Sequence, residues 1–337
     1  MNAFNFGLGW IGSMMMERVV NFRNRGFDKG RHVHDVGVPV VSVGNLSVGG
    51  TGKSPMVRWV TQQLLAAGHA PAIALRGYKA RDGVSDEALE HGGLLSGVPV
   101  LVGSNRVRTI DNAVQRGEAM DCIVLDDGFQ HRFVKRDLDI VLVDGRHPPD
   151  TDRLLPRGRL REPARNLRRA DAVVVTHADH AAATLRQRIA DLHGDEPVAE
   201  CVHAWDSLTR IDRDGSGQAE VDMLDGLRIV TRLGIASPDG VKKMLELHGA
   251  TVTGDLAARD HQAVTLRDLD RLATLARNAD AIVVSGKDMA TMEPLLADRA
   301  LPVPVLVPRL TVRFLSGEAS LRDRVERIFE DDRDEQP

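Results

Sequence analysis

Cysteine is scarce in this chain: two among 337 residues, Cys122 and Cys201. Two thiols build neither a disulfide framework nor a cysteine-rich zinc module, so a reducing compartment fits. An excess of positive charge is missing too. The 44 Lys and Arg stand against 48 Asp and Glu, a formal net charge of −4, which excludes a broadly basic nucleic-acid coat. No apolar run reaches the roughly 20 residues that a membrane-spanning helix needs. The apolar stretch at residues 3–16 is interrupted by Glu17 and Arg18. Its positive charges follow the run, whereas a secretory signal carries them in front. Internal repeats and long low-complexity segments are also absent.

What the chain does have is 42% hydrophobic residues, enough for a core in each of about two domains at this length. The first segment, 1–35, combines the run AFNFGLGWIGSMMM with Arg18, Arg23, Arg25, Lys29 and Arg31. Two readings fit it: an amphipathic helix in the headgroup region of an anionic leaflet, and a first helix docked on the protein's own core.

From residue 36 a β-branched run, a Gly or Asp, and a helical stretch recur in turn. This alternation predicts an α/β fold, a mostly parallel sheet flanked by helices. Strands are expected at 38–43, 70–75, 98–102, 122–125, 140–143 and 172–175, and helices at 54–67, 105–116 and 181–192. These make a first domain at 36–204. Charged, glycine-containing sequence at 205–226 predicts a linker or hairpin. A second, smaller α/β lobe is expected at 227–329, followed by an acidic tail at 330–337.

The strongest chemical signal is VVSVGNLSVGGTGKSP at 40–55, a strand leading through a glycine-rich turn into a helix. Ser47, Val48, Gly49, Gly50, Thr51, Gly52, Lys53 and Ser54 form the expected nucleotide-binding loop. Glycines let successive backbone N–H groups approach phosphate oxygens at the positive end of a helix. Lys53 bridges β- and γ-phosphates in this reading, and the Ser54 hydroxyl serves Mg²⁺. The usual first glycine of such a loop is Ser47 here. Acidic partners belong at neighbouring strand ends, where ligands of open parallel sheets gather. Asp126 and Asp127, leading DDGFQH, and Asp144 all qualify.

Together these segments resemble the tetraacyldisaccharide 4'-kinase family of lipid A biosynthesis. The resemblance rests on GNLSVGGTGKSP at 44–55, LRGY at 75–78, DE at 86–87, DDGFQH at 126–131, LREP at 160–163, GIASP at 234–238, DH at 260–261 and KD at 287–288. Ser85, Ala88 and Lys79 replace the family's usual Gly, Pro and Gly, and Ser285-Gly286 replaces its Thr-Glu.

The resemblance implies a P-loop kinase that uses ATP and Mg²⁺ to phosphorylate the 4'-hydroxyl of a tetraacylated glucosamine disaccharide 1-phosphate. It implies a peripheral enzyme on the cytoplasmic face of the bacterial inner membrane, acting on a lipid A precursor, with no nucleic acid and no obligate protein partner. Lys53, Asp127, Asp86 and His261 are then the expected catalytic residues, with Asp86 accepting the proton beside His261. Because these two fall in different lobes, lobe closure is implied. Ser54, Asp126 and Gln130 are the expected metal residues, with the division between Asp126 and Asp127 left open. Arg76, Tyr78, Arg106 and Arg161 are expected to hold the substrate or its phosphates, guanidinium forks being suited to phosphate. The competing reading is a P-loop switch or chaperone-type NTPase acting on a protein partner, favoured only by VVVTHAD at 173–179. The histidine pairs His32 and His34, and His177 and His180, are read as ordinary surface residues.

Overall fold

Strands that are apolar along both faces must be covered on both faces, and the computed structural model satisfies that demand. It describes residues 4–49, 51–77, 86–213, 215–235, 237–260, 262–297 and 299–330. The chain divides into two units, Met1–His203 with Val312–Pro337, and Ala204–Thr311.

The first unit runs α1 (Phe4–Asp28), β1 (Val40–Asn45), α2 (Lys53–Ala66), β2 (Pro71–Leu75), α3 (Asp86–Leu94), β3 (Val100–Val102), α4 (Arg106–Gln115), β4 (Cys122–Asp126), β5 (Leu138–Asp144), β6 (Ala172–Thr176) and α5 (Leu185–His193). The start of β7 (Ala199–Asp212) closes its sheet. The order is β7-β6-β5-β1-β4-β2-β3, and the registered pairs are parallel. β1 thus lies between β4 and β5, two strands that follow it in sequence. That is a switch point, and there the carboxyl ends of the three strands leave room for a ligand. Met56, Val57, Val60 and Leu64 of α2 are fully buried against the sheet, each contributing about 1.5–3 kcal/mol of hydrophobic stabilisation. This anchors the helix whose first residue is Lys53.

The second unit continues β7 and adds β8 (Gly215–Ala219), β9 (Arg228–Arg232), α6 (Pro238–Leu247), β10 (Thr251–Asp255), α7 (Leu266–Leu275), β11 (Ala281–Val284), α8 (Gly286–Leu296) and most of β12 (Val305–Ser316). β10, β9, β11 and β12 pair in parallel. Capping boxes start α7, from Thr265 with Asp268, and α8, from Ser285 with Asp288, each supplying two otherwise orphaned backbone donors with partners. The GIASP and KD segments meet here. Asp288 is buried, pairs with the buried guanidinium of Arg232 and accepts from Gly234 N at 3.0 Å.

Residues 205–226 hold the antiparallel hairpin β7–β8, one of the two forms expected there, with β7 beginning earlier, at Ala199. Two further features differ from the sequence expectation. The chain does not stay in the second unit to 329. At Val312 it re-enters the first, where Val312 and α9 (Glu318–Arg327) pack Leu321 and Val325 into the core beside α2. Helices α3, α8 and α9 were not expected. Pro294 inside α8 and a glycine pair inside α3 mask their helical pattern.

α1 docks one face on the protein and leaves the other exposed. Val20, Asn24 and Phe27, at helical spacing, are buried, Ser13 Oγ donates to the Leu154 carbonyl at 2.9 Å, and Phe27 packs edge-on against Phe133. The other face exposes Trp10, Ile11, Met14, Met15, Val19 and Phe22, the last 81% accessible. Among the described residues, no helix is long and apolar enough to cross a membrane.

Candidate functional site at the carboxyl end of the β1, β4 and β5 strands

The phosphate loop leaves β1 at Asn45, whose side chain is fully buried. Asn45 Nδ2 donates to Thr51 Oγ1 at 2.7 Å, bracing the loop across its mouth. The Thr51 carbonyl accepts from Thr176 Oγ1 at 3.0 Å. Ser47 bridges antiparallel to Leu160, and Val48 N donates to the Arg159 carbonyl at 2.8 Å, so the LREP segment clamps the near side of the loop. Gly52 takes a φ of +83° as the N-cap of α2, and a Cβ there would lie 2.4 Å from His203 Nε2. Only glycine suits both demands. Gly44 has a different reason: a Cβ would meet the backbone N of Phe129 at 2.6 Å. β1 therefore presses directly on the DDGFQH turn. Gly50 lies outside the described residues.

Lys53 Nζ lies 3.5 Å from Asn45 Oδ1 and 3.6 Å from Asp127 Oδ1. Asp127 follows β4 in the left-handed region, with φ +53°, a turn conformation that Asp tolerates better than most residues. It turns its carboxylate between Lys53 and Arg161, whose Nη1 donates to Asp127 Oδ2 at 2.6 Å and to Gln130 Oε1 at 3.1 Å. Arg106, buried at the start of α4, donates to the Asp127 carbonyl oxygen at 3.2 Å. Burial alone would raise the pKa of Asp127, but Lys53, then Arg161 and Arg106, outweigh it and hold the carboxyl below its usual range. His131, in the same turn, is pushed down to about 4 by burial and then by Arg106, Arg136 and Arg76. The surroundings of the turn are therefore electropositive.

Asp126 ends β4 and is spoken for differently: the fully buried His91 of α3 places Nε2 at 3.2 Å from Asp126 Oδ2. Gln130 has no free polar atom. Its Nε2 donates to the Asn45 carbonyl at 2.8 Å and to Glu162 Oε1 at 2.9 Å, while Oε1 accepts from Arg161. Gln130 thereby braces the loop against Glu162 and Arg161. The oxygen donors that remain, the Ser54 hydroxyl and the carboxylates of Asp126 and Asp127, are hard ligands of the kind Mg²⁺ takes while keeping several waters. The set fits the ion.

Behind Gln130 lies a residue that sequence reasoning passed over. Glu162 is fully buried, and its Oε2 accepts from Asn24 at 3.2 Å, Asn166 at 2.8 Å and Arg169 at 2.8 Å. Burial pulls its carboxyl up, but Arg169 and the amides outweigh this and hold it below the ordinary range. Its signal was its place in LREP beside Arg161. Asn45 likewise sits inside a motif, whereas His91 and His203 had no sequence signal. His203 is pushed down to about 4 by burial and then by His177, whose ring centroid is 4.3 Å away. His177 Nδ1 pairs with Asp144 Oδ1 at 3.3 Å. Asp144 is also held by Arg146, so it belongs to a wall beside the loop.

The remaining expected residues are placed less closely. Arg76 is exposed just after β2. Asp86 opens α3, five positions before His91, but its side chain, with Tyr78 and His261, lies outside the described residues. Of the seven arginines between 153 and 169, Arg161 reaches the site, while Arg159, Arg165 and Arg169 pair with Asp152, Glu17 and Glu162. Much of that charge is consumed within the fold.

The profile of the family described as tetraacyldisaccharide-1-P 4'-kinase matches residues 8–330. A tetraacyldisaccharide 4'-kinase of Syntrophotalea carbinolica is 34% identical over 332 residues, covering 93% of this chain and 88% of that protein. One from Syntrophus aciditrophicus is 37% identical over 305 residues, covering 81% and 80%. Among solved structures, LpxK from Aquifex aeolicus in complex with ATP matches with a TM-score of 0.73 at 26% identity, covering 95% of this chain and 98% of that one.

Proposed function

The chain belongs to the tetraacyldisaccharide-1-P 4'-kinase family, and from that premise we propose that it transfers the γ-phosphate of ATP to the 4'-hydroxyl of a tetraacylated glucosamine disaccharide 1-phosphate. The observation that carries this reading is the cluster of Lys53, Asp127 and Arg161 beneath a glycine loop braced by Asn45.

Phosphoryl transfer to an alcohol asks for in-line placement, neutralised phosphate charge and a proton acceptor. Backbone N–H groups of the loop and the start of α2 receive the β-phosphate. Lys53 moves its ammonium from Asp127 to the β,γ-bridge when ATP enters, and Asp127 keeps it aimed. Bound near Ser54 and the Asp126–Asp127 strand end, Mg²⁺ would supply further neutralisation of the phosphates. Arg161, already held by Asp127 and Gln130, presents a guanidinium to the transferred group. Asp86 accepts the hydroxyl proton and His261 orients or relieves it, imidazole titrating near neutrality.

The exposed apolar face of α1 supports a peripheral position on the cytoplasmic face of the inner membrane, since Trp, Phe and Met beside basic residues suit the headgroup boundary. The test follows labelled γ-phosphate from ATP into a tetraacyldisaccharide 1-phosphate in mixed micelles, with wild type beside Lys53→Ala. A labelled lipid that depends on Lys53 supports the kinase. ATP hydrolysis without labelled lipid refutes it in favour of a switch-type NTPase.

A further inference from the structure

One cavity of about 500 Å³ lies outside the phosphate-loop site, between the carboxyl-terminal half of α1 and the turn Ala164–Arg169. That volume lies within the range of small-molecule sites. Arg25, Arg165, Arg168 and Arg169 line it, with Asp28 and three asparagines. The charges do not cancel. Arg165 is taken by Glu17, Arg169 by Glu162, and Asp28 by Arg132. Arg25 and Arg168 make no ion pair with the described residues, and Arg169 Nη2 is a buried donor with no hydrogen-bond partner. Two uncompensated guanidiniums thus line one polar cavity, and Arg169, which also lines it, keeps a buried donor without a partner.

The cavity also has a position. Arg25 follows Phe22 by three residues, so it lies on the turn next to Phe22, and Phe22 ends the exposed apolar face that begins at Trp10. A ligand combining a phosphate with apolar chains would meet guanidiniums and apolar surface together. We propose that this cavity binds the phosphate of an anionic bilayer phospholipid, whose acyl chains lie along the apolar face of α1, and so fixes the enzyme's depth and rotation on the membrane. This rests on the membrane reading of α1 given above. A lipid-borne phosphate of the substrate itself carries the same chemistry, and the test separates the two.

The full-length protein is sedimented with vesicles of phosphatidylcholine alone or with phosphatidylglycerol. Arg25→Gln/Arg168→Gln removes the uncompensated pair without breaking an ion pair of the described fold. Lys29→Gln/Arg31→Gln removes equal charge just beyond α1. The cavity pair is expected to weaken binding to phosphatidylglycerol vesicles by about thirty-fold, each guanidinium near an anionic leaflet being worth about a factor of five. The control pair should lose several-fold less. Binding to phosphatidylcholine and the KM for tetraacyldisaccharide 1-phosphate in non-ionic micelles should not move. Equal losses in both pairs would overturn the proposal in favour of diffuse attraction. So would a raised micellar KM with vesicle binding intact, which assigns the cavity to the substrate's phosphate. Trp10→Ala/Phe22→Ala should weaken binding to both vesicles; if it weakens neither, the membrane reading of α1 fails first, and the headgroup site with it.

Discussion

Replacing Glu162 by Gln tests whether a carboxylate with no solvent exposure holds the phosphate-loop site together. The substitution keeps the volume, so no cavity opens, but one of its two acceptor oxygens becomes an NH₂ donor. That donor must face either Gln130 Nε2 or the Asn24, Asn166 and Arg169 donors. In either case donor meets donor and Arg169 loses its counter-charge. Removing one partner of a buried pair costs about 3–5 kcal/mol, and since Arg169 keeps 16% side-chain exposure the lower end, about 3 kcal/mol, applies. For a unit in the 150–250 residue class, that lowers the melting temperature by about 6–12 °C. Turnover should fall about a hundred-fold, because Gln130 no longer fixes Arg161 against Asp127 and ångström misplacements cost that much. Thermal circular dichroism and the lipid-labelling assay read the two effects separately. Adding Arg169→Met removes the stranded charge and should recover at least half of the melting temperature while leaving turnover low. A Glu162→Gln protein that melts within about 2 °C of wild type, under one kcal/mol on the same scale, refutes the reasoning.

Further outcomes follow from the same geometry. Gly52→Ala must adopt a left-handed φ and push its Cβ into His203, whose ring is packed against His177; a loss of about 2–5 kcal/mol and of ATP affinity is expected by denaturant titration and nucleotide binding, and unchanged ATP affinity would contradict it. Asp127→Asn should lower turnover about a hundred-fold through a misplaced Lys53, with a smaller change in ATP affinity, and single-turnover kinetics distinguishes the two. His131 and His203 are pushed down to about 4 in the fold from an ordinary 6.5, so the unfolded chain takes up their protons first. The stability they support is complete above about pH 6.5 and is lost as pH falls from there through about 4. Urea midpoints at pH 7.5 and 4.5 should differ, and less so in His131→Gln/His203→Gln; identical midpoints in the wild type would rule this out. Asp86→Ala and His261→Ala should lower turnover far more than ATP binding, and equal loss of both counts against a proton-accepting role.

Much of the fold was readable because its signals are local. Runs such as 122–125 and 172–175 are β-branched and lie between turn residues, so each announces a strand without reference to the rest of the chain. The failures share one property: their pattern is not local. β7 alternates apolar and polar residues with interruptions, so its start at Ala199, ahead of the segment expected to hold the hairpin, was not marked. Neither the end of β12 nor α9 was expected in the segment from Val312, and nothing in its residues says that it returns to the first unit.

The site divides along the same line. Glycines, Lys53, Ser54 and the Asp126–Asp127 pair are chemically specified within a few residues, so the sequence alone determined a phosphate loop with acidic strand ends and, with the spaced family motifs, the kinase family. Which carboxylate faces Lys53 depends on the sharp left-handed turn at Asp127 and on His91 reaching Asp126 across 35 positions. That Gln130 braces the loop depends on Glu162, 32 residues away, and Glu162 in turn accepts from Asn24, 138 residues away. Those contacts are set by strand order and helix packing, which decide what meets what once the chain is folded. A sequence states what each side chain can do; only the tertiary structure decides which partner is near enough to let it.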